Sequence, residues 1–495
     1  MGEERHLDCL ILGAGISGID AAYHLQKHSK WASYAILERR ANLGGTWDFF
    51  KYPGIRSDSD MYTFGFSWKI WKSAQPIATG DEILAYLKEA ADEQGIMGNI
   101  KFNTNVVSAD WNSVDNRWHV VTSSGDRYSC NMLFGCTGYY SYETPYEPSF
   151  PGQQDFPGPI IHPQKWTPDH DQMLKGKKVA IIGSGATAVT MLPNIAYEAA
   201  HVTLVQRTPS YIAAKPLISP LAQFLNNWLP QSLAVRLNRF IVVVLYALFY
   251  QYCTRWPDHA KKLIKGGMYK EVKGVMSKEE FEKHFTPPYN PWQQRFCLSP
   301  AGDFFQPLRD GKATMATGHI EKFTKEGILM KDGQLVEADF IVSATGLTMQ
   351  QNFPFSTIKT TIDGKVYKAS ENLIYNGIMI GDVPNFACII GYTNASWTLK
   401  ADIVSVYFTK LLNYMRSNSM AKVVPREGKD KVTREFFSGG LTSGYFGRAG
   451  DVLPKQGDGY PWRGGVNYIM DFISLTVGGL KLDNLEFTLA DKKRA

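Results

Sequence analysis

Paired cysteines are missing from this chain. Its six cysteines, at positions 9, 130, 136, 253, 297 and 388 of 495, include no CxxC. That pattern excludes a disulfide framework, a zinc knuckle and a redox dithiol, and it suits a reducing cytoplasm. Long apolar runs are scarce as well. Phe240–Tyr250 (FIVVVLYALFY) is an unbroken run of 11 residues, where about 20 are needed to cross a bilayer. The opening stretch MGEERHLDCLIL reads as a strand rather than a signal peptide, and His6 stands where a myristoylation pattern wants Ser or Thr. Charge of either sign is not concentrated: the net is +6, with Lys and Arg scattered and no dense basic run interleaved with aromatics. Nucleic acid is therefore not an expected partner, and the surplus suits small anionic ligands. With 44% hydrophobic and 20% charged residues the composition is that of a globular protein, and 495 residues call for two or three domains.

What is there is glycine in the right places. The apolar run HLDCLIL leads into Gly13-Ala14-Gly15-Ile16-Ser17-Gly18, a helical stretch follows over 19–26, and a second run, 34–37, ends in Glu38. Strand, glycine turn, helix and strand, with an acid 20 positions past the last glycine, is the pattern of a dinucleotide site. Glycine lets the backbone approach a pyrophosphate seated on the helix N-terminal amides. Glu38 accepts from ribose hydroxyls and repels a 2′-phosphate, so this turn favours FAD or NAD over NADP. Gly44-Gly45-Thr46-Trp47 and Tyr52-Pro53-Gly54-Ile55-Arg56-Ser57-Asp58 come next. They read equally well as an aromatic loop packed on the sheet or as a loop folded over a flavin, with Asp58 near its reacting face. Val106, at a predicted strand, is a candidate for packing against adenine. His24 and His28 have the i, i+4 spacing of metal ligands but no third ligand nearby, so a solvated helix face is expected there and no metal.

A second unit opens with KKVAII (177–182) and Gly183-Ser184-Gly185-Ala186-Thr187-Ala188, the third glycine being replaced by the small Ala188. Its next strand, 202–206, ends in Arg207-Thr208 rather than an acid. An arginine and a hydroxyl there suit the 2′-phosphate of NADPH. The two turns thus differ at the residue that discriminates their ligands. Between them lies the connector FPGPIIHPQKW (156–166), which would let one cofactor move against the other. Residues 212–285 break the alternation of strand and helix. They read as a helical insertion forming part of a substrate wall, with 240–250 as a helix buried between domains; a membrane-surface or partner-binding face is the weaker alternative.

Residues 337–347 (EADFIVSATGL) match LFGCTGY at 133–139 and close the second unit. A hairpin is expected around Asp363-Gly364, and a helix over 399–414. Trp397, just before it, is either substrate wall or core. Aromatic loops such as YPWRGG are expected over the site. The fold class is α/β, with two Rossmann-like dinucleotide-binding domains and a helical insertion. A first flavin part spans 1–145, the linker 146–168, the nicotinamide-binding part 169–211 and 286–348, the insertion 212–285, and the second flavin part with C-terminal loops 349–495.

With those residues in view, the chain resembles the class B flavin monooxygenases and, more narrowly, the type I Baeyer–Villiger monooxygenases. The linker pattern Phe-x-Gly-x3-His-x3-Trp is met by Phe156, Gly158, His162 and Trp166. The flavin-loop pattern is met by Gly44, Gly45, Trp47, Tyr52, Pro53, Gly54 and Asp58. Thr167 departs from the family, where Pro or Asp follows the tryptophan. The resemblance implies FAD and NADPH as cofactors, and O2 with a hydrophobic ketone or sulfide as substrates. The product would be an ester or lactone formed through a C4a-peroxyflavin. It implies that Asp58 and Arg295 form the active-site acid–arginine pair. Arg56, Ser57 and Asp58 would then face the nicotinamide, Thr46, Trp47 and Val106 would touch the flavin, and His162 would be structural or conformational rather than a general base. S- or N-oxygenation and uncoupled NADPH oxidation are the rival activities.

Overall fold

The structure, a computed structural model, describes residues 3–490 apart from 295, 352, 428–432, 436–447, 449–451 and 465–466. Two sheets organise it, one mixed and one parallel. The first is built on β1 (Arg5–Leu12) and β6 (Arg127–Gly135), paired in parallel from Arg5↔Tyr128 to Leu12↔Gly135. Beyond β1 lie β2 (Tyr34–Leu37) and β3 (Ile100–Lys101), both parallel. The C-terminal half of β6 takes β14 (Phe386–Cys388) in parallel, so residues near 386 return to the sheet begun at residue 5. Its N-terminal half instead joins an antiparallel meander through β5 (Arg117–Thr122) and β4 (Val106–Asn112). The edge is the expected hairpin, β12 (Lys359–Ile362) with β13 (Lys365–Val366). Asp363 and Gly364 adopt φ of 50° and 76°, the left-handed pair that a two-residue turn requires.

The second sheet is wholly parallel, in the order β10 (Ala313–Thr317), β9 (His201–Gln206), β8 (Lys178–Ile182), β11 (Phe340–Ser343) and β7 (Ile160–Ile161). β7 belongs to the connector, so the linker is stitched into this sheet through Ile341↔Ile160 and Val342↔Ile161. Phe156 packs edge-on against Phe323, and Trp166 lies against Phe340. A Cβ on Gly158 would stand 2.3 Å from the Asp339 carbonyl, which explains a glycine there. Trp166 Nε1 donates to Asp171 at 2.9 Å. Thr167 caps the short helix Pro168–Met173, its backbone N–H donating to His170 Nδ1 at 2.9 Å. The departure at Thr167 thus supplies a helix cap, with Pro168 at the first helical position.

Two expectations are corrected here. His24, on α1 (Ile16–His28), is buried, because α6 (Trp397–Ser417) covers that face of α1. Its Nε2 lies 2.9 Å from Asp402 on α6 and 3.8 Å from Asp20. Burial works against charging His24, but the two carboxylates prevail and raise its pKa. Only His28 has the solvated position expected of both. The second correction concerns the insertion. The run 240–250 lies in α4 (Gln231–Arg255), flanked by α3 (Pro220–Trp228) and α5 (Pro257–Val272), but it is not buried between domains. In the whole of α4 only Ala234, Val235, Asn238 and Cys253 are buried, because its neighbours cover one side alone. Residues 212–215 form a strand paired with 297–300 rather than part of a helix.

Candidate functional site

The two glycine turns open on the same space, a cavity of about 890 Å³. On one side, Gly13 sits at φ +100°, where an added Cβ would meet the Cys136 carbonyl at 2.7 Å. At Gly18 the Cβ would meet the Gly13 carbonyl at 1.9 Å, so this third glycine is fixed by the contact of helix with strand. Gly15 differs: its Cβ would find nothing nearer than Gly45 Cα at 3.7 Å. The fold does not require glycine there. A ligand backed onto the α1 amides would. Ser17 is buried, and its hydroxyl accepts from Trp397 Nε1 at 2.7 Å. Trp397 also stacks on Tyr139, so this wall residue is tied to the turn itself.

Glu38 lines the cavity but is buried, and its two oxygens accept from Ala14 N–H at 2.7 Å and Arg40 N–H at 2.9 Å. Burial raises its pKa, while those two N–H groups oppose the shift. The carboxylate therefore shapes the turn as well as facing the cavity, each oxygen keeping a further acceptor position. Val106, at the start of β4, lines the same end of the cavity. Thr46 and Trp47 line it farther along, Thr46 Oγ1 lying 3.3 Å from the Tyr142 hydroxyl and Trp47 meeting Phe64 edge-on.

On the second side, Gly183 has φ +138° and would place a Cβ 2.3 Å from the Ala344 carbonyl. Gly185 is more open than Gly15, with nothing within 4 Å of an added Cβ. Ala188 is fully buried and takes the place of the third glycine without a clash. Ser184, Ala186 and Thr187 line the cavity, and Ser184 Oγ donates to the Thr208 carbonyl at 2.8 Å, tying the turn to the end of β9. Arg207 and Thr208 line the cavity at that end. Arg207 is exposed and makes no hydrogen bond or ion pair among the described residues.

Between the turns lies the loop 52–58. Ser57 is buried, Asp58 is exposed, and both line the cavity. Arg56 lines it too, but its guanidinium is engaged: it pairs with Asp303 and donates to the Leu298 carbonyl at 3.2 Å. Nothing in the sequence pointed to Asp303, which is held by Ser299 Oγ at 2.8 Å. Arg295 lies outside the described residues; its neighbour Gln294 lines the cavity. No residue of 212–285 lines it, so the insertion is not the wall expected, and neither do residues 460–464 of YPWRGG. Those pack instead beside Tyr375, where Asn376 N–H donates to the Pro461 carbonyl at 2.7 Å.

His162 is held on both nitrogens. Nε2–H donates to the Gly346 carbonyl at 2.9 Å, and Nδ1 accepts from Gln164 N–H at 3.1 Å. Burial lowers its pKa. A neutral ring in that tautomer joins the linker to the closing loop of the second unit. All six cysteines are buried and free. Cys136 lines the cavity, but burial holds its thiol protonated.

Residues 10–232 match the family model of pyridine nucleotide-disulphide oxidoreductases. Over 488 residues the chain is 45% identical to the FAD-containing monooxygenase EthA of Mycolicibacterium smegmatis, covering 98% of this chain and 97% of that one. The EthA of Mycobacterium tuberculosis (strain H37Rv) is also 45% identical, with 98% of each chain covered. This chain belongs to the FAD-containing monooxygenases. Among solved structures, an oxidized steroid monooxygenase bound to NADP has the same fold, with a TM-score of 0.74 at 19% identity, over 98% of this chain and 100% of that one. The cyclohexanone monooxygenase from Rhodococcus sp. Phi1 bound to NADP+ gives 0.68 at 20% identity, over 86% and 87%.

Proposed function

We infer that this FAD-containing monooxygenase takes FAD at the first glycine turn and NADPH at the second, and is a Baeyer–Villiger enzyme. Two dinucleotide turns facing one cavity, with a buried acid at the first and, at the second, an exposed arginine unpaired among the described residues, carry the reading. The fold relative named cyclohexanone monooxygenase supports the choice of a ketone substrate. When bound, the flavin accepts hydride from NADPH and activates O2, one oxygen atom entering beside the ketone carbonyl and the other leaving as water.

The chain's own residues divide the remaining work. The amides at Gly15 and Gly185 receive pyrophosphates. Arg207, with Thr208, binds the 2′-phosphate. Trp47, Phe64, Tyr392 and Trp397 exclude water from the reacting end. Burial pushes the hydroxyls of Tyr52 and Tyr142 up to about 12, so both stay neutral donors at working pH. Asp58 offers a carboxylate to orient Arg295, whose positive charge stabilises the oxyanion formed as the carbonyl is attacked. Arg295→Ala is expected to reduce flavin normally and to lose ester formation; normal ester yield would remove Arg295 from the role.

Sulfide oxygenation is the second reading, because activated oxygen that attacks a carbonyl as a nucleophile when deprotonated can transfer to a soft sulfur as an electrophile when protonated. Incubating FAD-loaded protein with NADPH, 18O2, a ketone and a sulfide separates the activities by mass spectrometry. Labelled ester establishes the Baeyer–Villiger reaction; labelled sulfoxide without ester makes the chain an S-oxygenase. NADPH consumption yielding only hydrogen peroxide points to an uncoupled oxidase. The six free thiols suit the reducing cytoplasm as its compartment.

A further inference from the structure

The helical insertion takes no part in the cavity, yet it has the most distinctive surface of the described residues. α4 reaches a mean hydropathy of 1.7 over an 18-residue window, of which only 17% is buried. Leu233, Phe240, Leu245 and Leu248 are 52%, 65%, 54% and 61% exposed. Trp228 and Trp256, just beyond its two ends, are 76% and 53% exposed. Of the 23 large hydrophobic side chains exposed among the described residues, 11 fall within 212–275. So dense an apolar surface on one segment marks an interaction site rather than the ordinary scatter.

The charge around it is equally uneven. Residues 212–275 hold nine Lys and Arg against two Asp and Glu, a net of +7, whereas the whole chain has +6. No acid occurs from 199 to 257. Leu233, Arg236, Phe240, Leu248 and Arg255 fall on one stripe of the helix, with an exposed cation toward each end and apolar residues between.

We propose that this face of the insertion docks on the surface of an anionic lipid bilayer without spanning it. An apolar stripe fits the acyl boundary, tryptophans fit the interface, and a cationic rim fits lipid phosphates. A second copy of the chain fits poorly, because a twofold contact would set the cationic rim against itself. Spanning is prevented by Arg239, whose guanidinium donates to the carbonyls of Tyr62 at 2.8 Å and Gly65 at 2.7 Å and so pins α4 to the protein. Those carbonyls flank Phe64, which lines the cavity. A docked enzyme therefore brings the catalytic cavity close to substrates dissolved in lipid.

Flotation of the FAD-loaded protein with vesicles tests this without any oxygenation assay, so its failure leaves the proposed reaction untouched. The protein is expected to float with vesicles of equal parts phosphatidylglycerol and phosphatidylcholine. Binding should be about tenfold weaker to phosphatidylcholine alone or at high salt. Leu245→Glu/Leu248→Glu should abolish flotation while NADPH still reduces the flavin. If that variant fails to retain FAD, Arg236→Gln/Arg255→Gln serves in its place and should weaken binding to the anionic vesicles alone. Three results would overturn the proposal: no flotation with either vesicle, flotation unaffected by the substitutions, or a lipid-free oligomer that Leu245→Glu/Leu248→Glu splits into monomers.

Discussion

The two glycine turns use one backbone design for different ligands, and the contrast lies in how their discriminating residues are held. Glu38 is buried, and both its oxygens already accept backbone N–H groups, at 2.7 and 2.9 Å. Arg207 is exposed and unpaired among the described residues. The acid is thus part of the turn's own architecture, and in the proposed function its charge disfavours a 2′-phosphate. The arginine has no structural duty and is available to bind one. The same division separates the glycines: Gly13, Gly18 and Gly183 are required by the fold, while Gly15 and Gly185 leave room for a ligand.

The largest expected effect tests that division among the glycines. Gly18→Ala forces a Cβ to within 1.9 Å of a carbonyl oxygen, and should cost about 3 kcal/mol or more, read as a large fall in Tm. Gly15→Ala should leave Tm of the FAD-free protein unchanged and weaken FAD retention. Equal Tm losses would erase the distinction. Next comes Glu38→Gln. An amide replaces only one of the two acceptors and turns an NH2 toward a backbone N–H, costing about 1–3 kcal/mol. FAD should bind on the order of tenfold more weakly by fluorescence titration; unchanged affinity would mean that the buried carboxylate has no effect on the turn.

The smallest effect concerns the linker. The folded pKa of His162 is lowered by burial, so its contribution to stability is full above the unfolded value of about 6.5 and is lost as pH falls through the folded value. The difference in Tm between the wild type and His162→Ala should be widest near pH 8 and shrink toward pH 5. A difference that grows on acidification would mean that the ring works as a cation.

What was legible in the sequence was local. Glycine turns, the strand ends at Glu38 and Arg207, and the Asp363-Gly364 hairpin are set by neighbours within a few residues. What was not legible depends on partners far along the chain. Asp303 engages Arg56 from 247 positions away, and Asp402 reaches His24 from 378 away. The exposure of α4 was hidden for a related reason: an apolar run has the same composition whether or not another element covers it. Its charge asymmetry, by contrast, was present in the sequence and is lost when Lys and Arg are counted over the whole chain.

The most direct measurement is anaerobic flavin reduction by stopped flow, comparing NADPH with NADH in the wild type and in Arg207→Ala. The account predicts that the wild type prefers NADPH and that the variant loses about 10- to 100-fold in apparent affinity for NADPH, the value of a charge-assisted contact, with reduction by NADH unchanged. A variant that keeps its preference for NADPH, or loses both nucleotides equally, would contradict the division of the two turns.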